Sequence, residues 1–79
     1  MRIDKYLKVS RIIKRRTVAK EVLDQGRVSV NGRVVKAGYE VKVGDQIVLD
    51  VPGGPRQVIV EAIRENVPAK EAECLYREV

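Results

Sequence analysis

The sequence predicts an α+β domain: two N-terminal helices packed on a small, mostly antiparallel sheet, with a short C-terminal helix. Three observations carry that prediction. Apolar residues recur at helical spacing up to Gly26, the period then changes to β-branched runs broken by turn pairs, and helical spacing returns after Pro68. At 79 residues the chain makes one domain. A unit this small buries only about 60% of its unfolded surface, so its core is modest.

Ile3, Tyr6, Leu7 and Ser10 stand at i, i+3, i+4 and i+7, the stripe of a first helix over residues 3–13. Asp4 is the expected N-cap, and it also lies where it can orient a neighbouring arginine. A second helix is expected over residues 16–25, with Val18, Ala19, Val22 and Leu23 as its apolar face and Gly26 as its stop. Arg27-Val28-Ser29-Val30 and Arg33-Val34-Val35-Lys36 then flank Asn31-Gly32, a pair suited to a tight hairpin because both turn residues need positive φ. Gly44-Asp45 marks a further turn. Strands are expected at 46–51 and 56–63 around the loop Pro52-Gly53-Gly54-Pro55. Pro68 suits the first turn of a last helix, on which Ala72, Leu75, Tyr76 and Val79 repeat at helical spacing.

Charge is unevenly placed. Residues 1–36 hold eleven Lys or Arg against three acids, a net +8, whereas residues 37–79 hold five against eight, a net −3. Segregation of this kind points to a polyanionic partner. On the first helix Arg2, Lys5 and Lys8 stand three apart, off the apolar stripe. Arg11, Lys14, Arg15 and Arg16 crowd the connection to the second helix, and Lys20 shares a helix face with Arg16. Three consecutive cations at a helix start oppose the helix dipole and repel one another, a conflict that a bound phosphate resolves. Arg27 and Arg33 border the Asn-Gly turn and are placed to flank the same groove. With Tyr6, Tyr39 and Tyr76 as the only aromatics, a base-stacking platform is not expected. Tyr6 and Tyr76 read as core, and Tyr39 as a loop residue.

Catalysis is not expected, and neither is a cofactor or metal. The chain has no His to shuttle protons, and no Cys–His set for zinc. Its one cysteine, Cys74, lies among acids that disfavour a thiolate and reads as a small buried or half-buried residue. That single cysteine, together with a start that lacks a signal-like apolar run, gives the expectation of a cytoplasmic protein without a membrane partner.

Four fragments in order resemble one module: Arg2-Ile3-Asp4-Lys5-Tyr6-Leu7; Arg16 with Ala19 and Lys20; Gly26-Arg27-Val28-Ser29-Val30-Asn31-Gly32; and Val43-Gly44-Asp45-Gln46-Ile47. It is the RNA-binding domain named after small-subunit ribosomal protein four. On this resemblance residues 1–51 are the RNA-binding module, and residues 52–79 are a hairpin strand and helix completing the same single domain. The stretch Val67-Pro68-Ala69-Lys70-Glu71-Ala72-Glu73-Cys74-Leu75-Tyr76 is similar to the tail of a stand-alone, ribosome-associated family that includes a bacterial heat-shock RNA-binding protein and the RqcP type. The run from Leu7 to Thr17 looks closest to the RqcP type.

The resemblance implies binding to an obstructed large ribosomal subunit through its rRNA and the peptidyl-tRNA, in support of alanine tailing by an RqcH-type factor. The charge pattern itself places the expected RNA contacts at Arg2, Lys5, Lys8, Arg11, Lys14, Arg15, Arg16, Lys20, Arg27 and Arg33. One departure concerns the position before the arginine that opens the second helix. Many members have a capping Ser or Thr there, and this chain has Arg15, which adds a charge and leaves the cap open. The alternatives are a general structured-RNA binder, a helix-turn-helix that reads DNA, and a protein adaptor. Against DNA, the second helix offers Lys20, Glu21 and Asp24, and acids face phosphates badly. A monomer is the default expectation.

Overall fold

A computed structural model describes all of residues 1–79. Its elements are α1 (Ile3–Val9), α2 (Arg16–Asp24), β1 (Val28–Val30), β2 (Arg33–Val34), β3 (Gln46–Val51), β4 (Gly54–Val60), a 3-10 helix (Ala69–Leu75) and β5 (Tyr76–Glu78). The five strands form one antiparallel sheet in the order β2-β1-β3-β4-β5.

The expected α+β architecture is present. The two helices lie against one face of the sheet because strand alternation sends Val28, Val30, Ile47, Leu49, Val58 and Val60 to that face. Register supports this, with Val28 opposite Leu49, Val30 opposite Ile47 and Ile47 opposite Val58. From the helices come Ile3, Tyr6, Leu7, Ala19, Val22 and Leu23, all buried. Val18, expected on the apolar face of α2, is instead 41% exposed. Each buried Leu or Ile contributes about 1.5–3 kcal/mol by leaving water.

The Asn31-Gly32 turn forms as expected, with φ of 52° and 85°. The Asn31 side chain also ties the hairpin to the next loop, accepting from the Gln46 N–H at 3.0 Å and donating to Asp45 at 3.1 Å. Asp45 is buried and takes two more hydrogen bonds, from the Tyr39 hydroxyl and the Lys42 N–H, both at 2.9 Å. This bond to Asp45 pushes the Tyr39 hydroxyl pKa up. The network holds the loop over residues 35–45, and that loop in turn holds α1.

Further expectations are corrected. Asp4 is not the N-cap of α1; Arg2 occupies that position, without a side-chain cap. The early N–H groups of α1 bond to loop carbonyls instead, Ile3 to Tyr39 at 2.7 Å and Asp4 to Ala37 at 3.5 Å. Second, the terminal segment is a 3-10 helix followed by a strand rather than one helix. Ala72 and Leu75 are buried as expected, but Tyr76 pairs with Val60 across β4–β5 and is half-buried, and Val79 is exposed. The open edge of β4 supplies backbone partners that a longer helix would leave unmet. Third, β4 starts at Gly54 and ends at Val60, so the turn is Pro52-Gly53, and Cys74 is exposed rather than buried.

Candidate nucleic-acid interface

Asp4 is the centre of the basic face. It is fully buried, yet it is an acid on a helix whose neighbours are cations. Its Oδ2 accepts from Arg16 Nε at 3.1 Å, and its Oδ1 accepts from Arg16 Nη2 at 3.4 Å. Arg2 Nε lies 3.4 Å from the same Oδ1, and the Lys5 N–H donates to it at 2.9 Å. Burial alone would raise the Asp4 pKa. The Arg16 bond, the Lys5 N–H and the charges of Arg16 and Arg2 outweigh it and hold the carboxyl below its usual range.

The outcome is a fixed pair of arginines. Arg2 opens α1 and Arg16 opens α2, and Asp4 binds both while leaving their side chains 49% and 42% exposed. A guanidinium has five donors, so each retains N–H groups beyond those that meet the carboxylate. Planar groups held this way suit phosphate oxygens better than free-swinging chains do, because less side-chain entropy is lost on contact.

Arg15 is the extended N-cap residue of α2, exposed, with no side-chain capping bond there. The first turn of α2 carries no acid either, so its dipole and the cations reinforce a positive site. Lys20 is exposed one helical turn after Arg16. Lys8, Arg11 and Lys14 line one surface pocket. Lys5 turns aside from them to Glu65, 3.6 Å away. The structure thus brings eight of the sequence-predicted cations to the two helices and their connection.

Arg27 and Arg33 sit elsewhere. Arg27 donates to Gln25 at 3.2 Å, and Arg33 lies on the exposed edge strand β2. Neither shares a hydrogen bond or ion pair with the Asp4 cluster.

Arg11 has an unexpected backbone. It follows the C-cap of α1 with φ of +62°, the left-handed conformation usual for glycine. Its N–H bonds to the Lys8 carbonyl at 3.0 Å, and that of Ile13 to Leu7 at 3.1 Å. The second helix ends in the same way on Gly26, φ +72°, at no steric cost.

The chain pairs two helices that open on clamped arginines with a short antiparallel sheet, and the S4 domain family matches residues 1–47. The chain is 55% identical over 78 residues to the RQC P-site tRNA stabilizing factor of Halalkalibacterium halodurans, covering 96% of this chain and 86% of that protein. It is 50% identical over 78 residues to the factor of the same name from Bacillus subtilis, covering 96% and 88%. The chain belongs to the S4-domain family of RQC P-site tRNA stabilizing factors. Among solved structures, the trimeric heat shock protein 15 of Vibrio cholerae superposes with a TM-score of 0.92 at 35% identity, covering 100% of this chain and 81% of that one.

Proposed function

We propose that this chain is an RNA-binding factor of ribosome-associated quality control. It binds the obstructed large ribosomal subunit through rRNA and the peptidyl-tRNA, and so supports alanine tailing of the stalled nascent chain by an RqcH-type factor. It acts as a monomer in the cytoplasm and catalyses no reaction. No helix is long and apolar enough to cross a membrane. The observation that carries the reading is the Asp4 clamp, which presents Arg2 and Arg16 together at the openings of two helices. Relatives at 50–55% identity bear the name of a P-site tRNA stabilizing factor, which supports the same partner.

Structured RNA is met through its backbone and shape, since its deep major groove excludes side chains. Arg2, Arg11, Arg15 and Arg16 make the principal phosphate contacts, and Lys5, Lys8, Lys14 and Lys20 the more mobile ones. Arg27 and Arg33 form an outlying arm of the same contact. Residues 1–51 carry the RNA surface, and residues 52–79 complete the same folded unit by extending its sheet and core.

Cosedimentation with purified large subunits, with and without peptidyl-tRNA, tests the reading. The native chain should pellet best with tRNA-bearing subunits, and Arg16→Ala should stay in solution. Arg15→Ala, which breaks no bond within the protein, serves as the variant whose fold is not in question and should bind more weakly. Equal pelleting of all three with bare and occupied subunits would leave charge-driven binding to structured RNA in its place.

A further inference from the structure

Most of the face's arginines and lysines with a fixed position owe it to an acid: Arg2 and Arg16 to Asp4, Lys5 to Glu65. Lys8, Arg11 and Lys14 are different. None of them forms an ion pair, yet all three converge on one pocket of about 190 Å³. The opposite wall comes from the segment leading into the 3-10 helix, with Glu65, Asn66, Val67 and Ala69. The one acid on this rim already faces Lys5. Val9, Val67 and Ala69 add a small apolar part to a lining that is mainly polar.

The backbone shapes this rim. Arg11 is left-handed at φ +62° because it follows the C-cap of α1 and ends that helix. The turn aims the chain so that Lys8, Arg11 and Lys14 meet, although they lie on either side of the end of α1.

We propose that this pocket takes up a single unstacked nucleotide of the bound RNA. Its flanking phosphates meet Lys8, Arg11 and Lys14. Its base lies on Val9, Val67 and Ala69, while the Asn66 amide offers one donor and one acceptor group to the base edge. The inference rests on the RNA-binding reading above and adds to it a contact made by residues 65–69, outside the segment matched by the S4 family.

The test uses the full chain and two RNA hairpins that differ only in one unpaired nucleotide bulged from the stem, with binding followed by fluorescence anisotropy. The native chain should bind the bulged hairpin about tenfold more tightly, which is about 1.4 kcal/mol. Asn66→Ala and Ala69→Phe change no charge, and both positions are exposed, so thermal melts should be near native. Each should erase the preference and keep the affinity for the fully paired stem. A native chain without the preference, or variants that retain it, overturns the proposal. So does a Lys8→Ala variant that lowers both affinities equally while no preference exists, which would make the pocket a phosphate contact only. A native chain that binds neither hairpin also overturns the proposal, whereas the RNA-binding reading itself fails only if the cosedimentation with large subunits fails.

Discussion

The Arg16 guanidinium holds both oxygens of the buried Asp4 carboxylate, at 3.1 and 3.4 Å, and thereby joins the openings of α1 and α2. The pair is structural on one side and available to a ligand on the other. Asp4 is wholly enclosed, whereas Arg16 is partly in water, so screening reduces what the pair contributes below the value for a fully buried one.

Asp4→Asn should destabilise the fold by about 1–3 kcal/mol, since a neutral amide must replace a carboxylate that takes several hydrogen bonds. The acid sensitivity should change with it. The folded pKa of Asp4 lies below its unfolded value, so its contribution is fully present above about pH 4 and is lost as pH falls through the lowered pKa. Urea melts at falling pH should therefore show a steep loss below about pH 4 in the native chain and a shallower one in the variant. Parallel curves for the two would refute the assignment.

Arg11→Gly separates binding from stability. Relief of the left-handed arginine is worth about 1 kcal/mol, offset in part by the freer unfolded glycine. The melting temperature should stay level or rise, while RNA affinity falls severalfold. A drop in both would mean that the Arg11 side chain supports the fold.

Tyr6→Phe should cost about 1–2 kcal/mol. The Tyr6 hydroxyl donates to the Leu75 carbonyl at 2.7 Å within the core, and burial pushes its pKa well above the ordinary tyrosine value. Removing it leaves that carbonyl without its hydroxyl donor. Chemical denaturation measures the loss, and an unchanged midpoint would show that the Glu61 and Ala62 N–H groups, which also reach the Leu75 carbonyl at 2.9 and 3.2 Å, satisfy it alone.

Salt should weaken RNA binding steeply. Should about five phosphates be neutralised, the slope of log affinity against log salt would be near −4.5, and Arg15→Ala should make it shallower by about 0.9. An Arg15→Ala variant with the native slope would remove that residue from the contact.

Much of this was legible from residue order alone. The Asn31-Gly32 turn and the Ile3–Tyr6–Leu7 stripe are local signals, and local physics decides them. The cations of the two helices were visible as a charge cluster. Asp4 was misread in part because its true partners are remote. Its Arg16 contact spans twelve residues, and α1 is capped by carbonyls of the loop over 35–45. The terminal segment was misread because spacing of three between Ala72 and Leu75 fits a 3-10 helix as well as an α-helix, and only the waiting edge of β4 turns Tyr76 into a strand. Asn66 gave no signal, since a lone amide in a polar stretch becomes meaningful only when α1 is beside it.

The bond from Tyr6 to Leu75 also bears on the order of folding during synthesis. The two cationic helices are made first, but their core is closed by β4, the 3-10 helix and β5, which are made later. The earliest-made residues thus wait for partners some 69 positions downstream, a long-range closure that slows folding and makes it cooperative. A partly made chain holds its positive charge without the scaffold that fixes it. Geometry for RNA is therefore acquired in one late step, when the segment around Leu75 arrives.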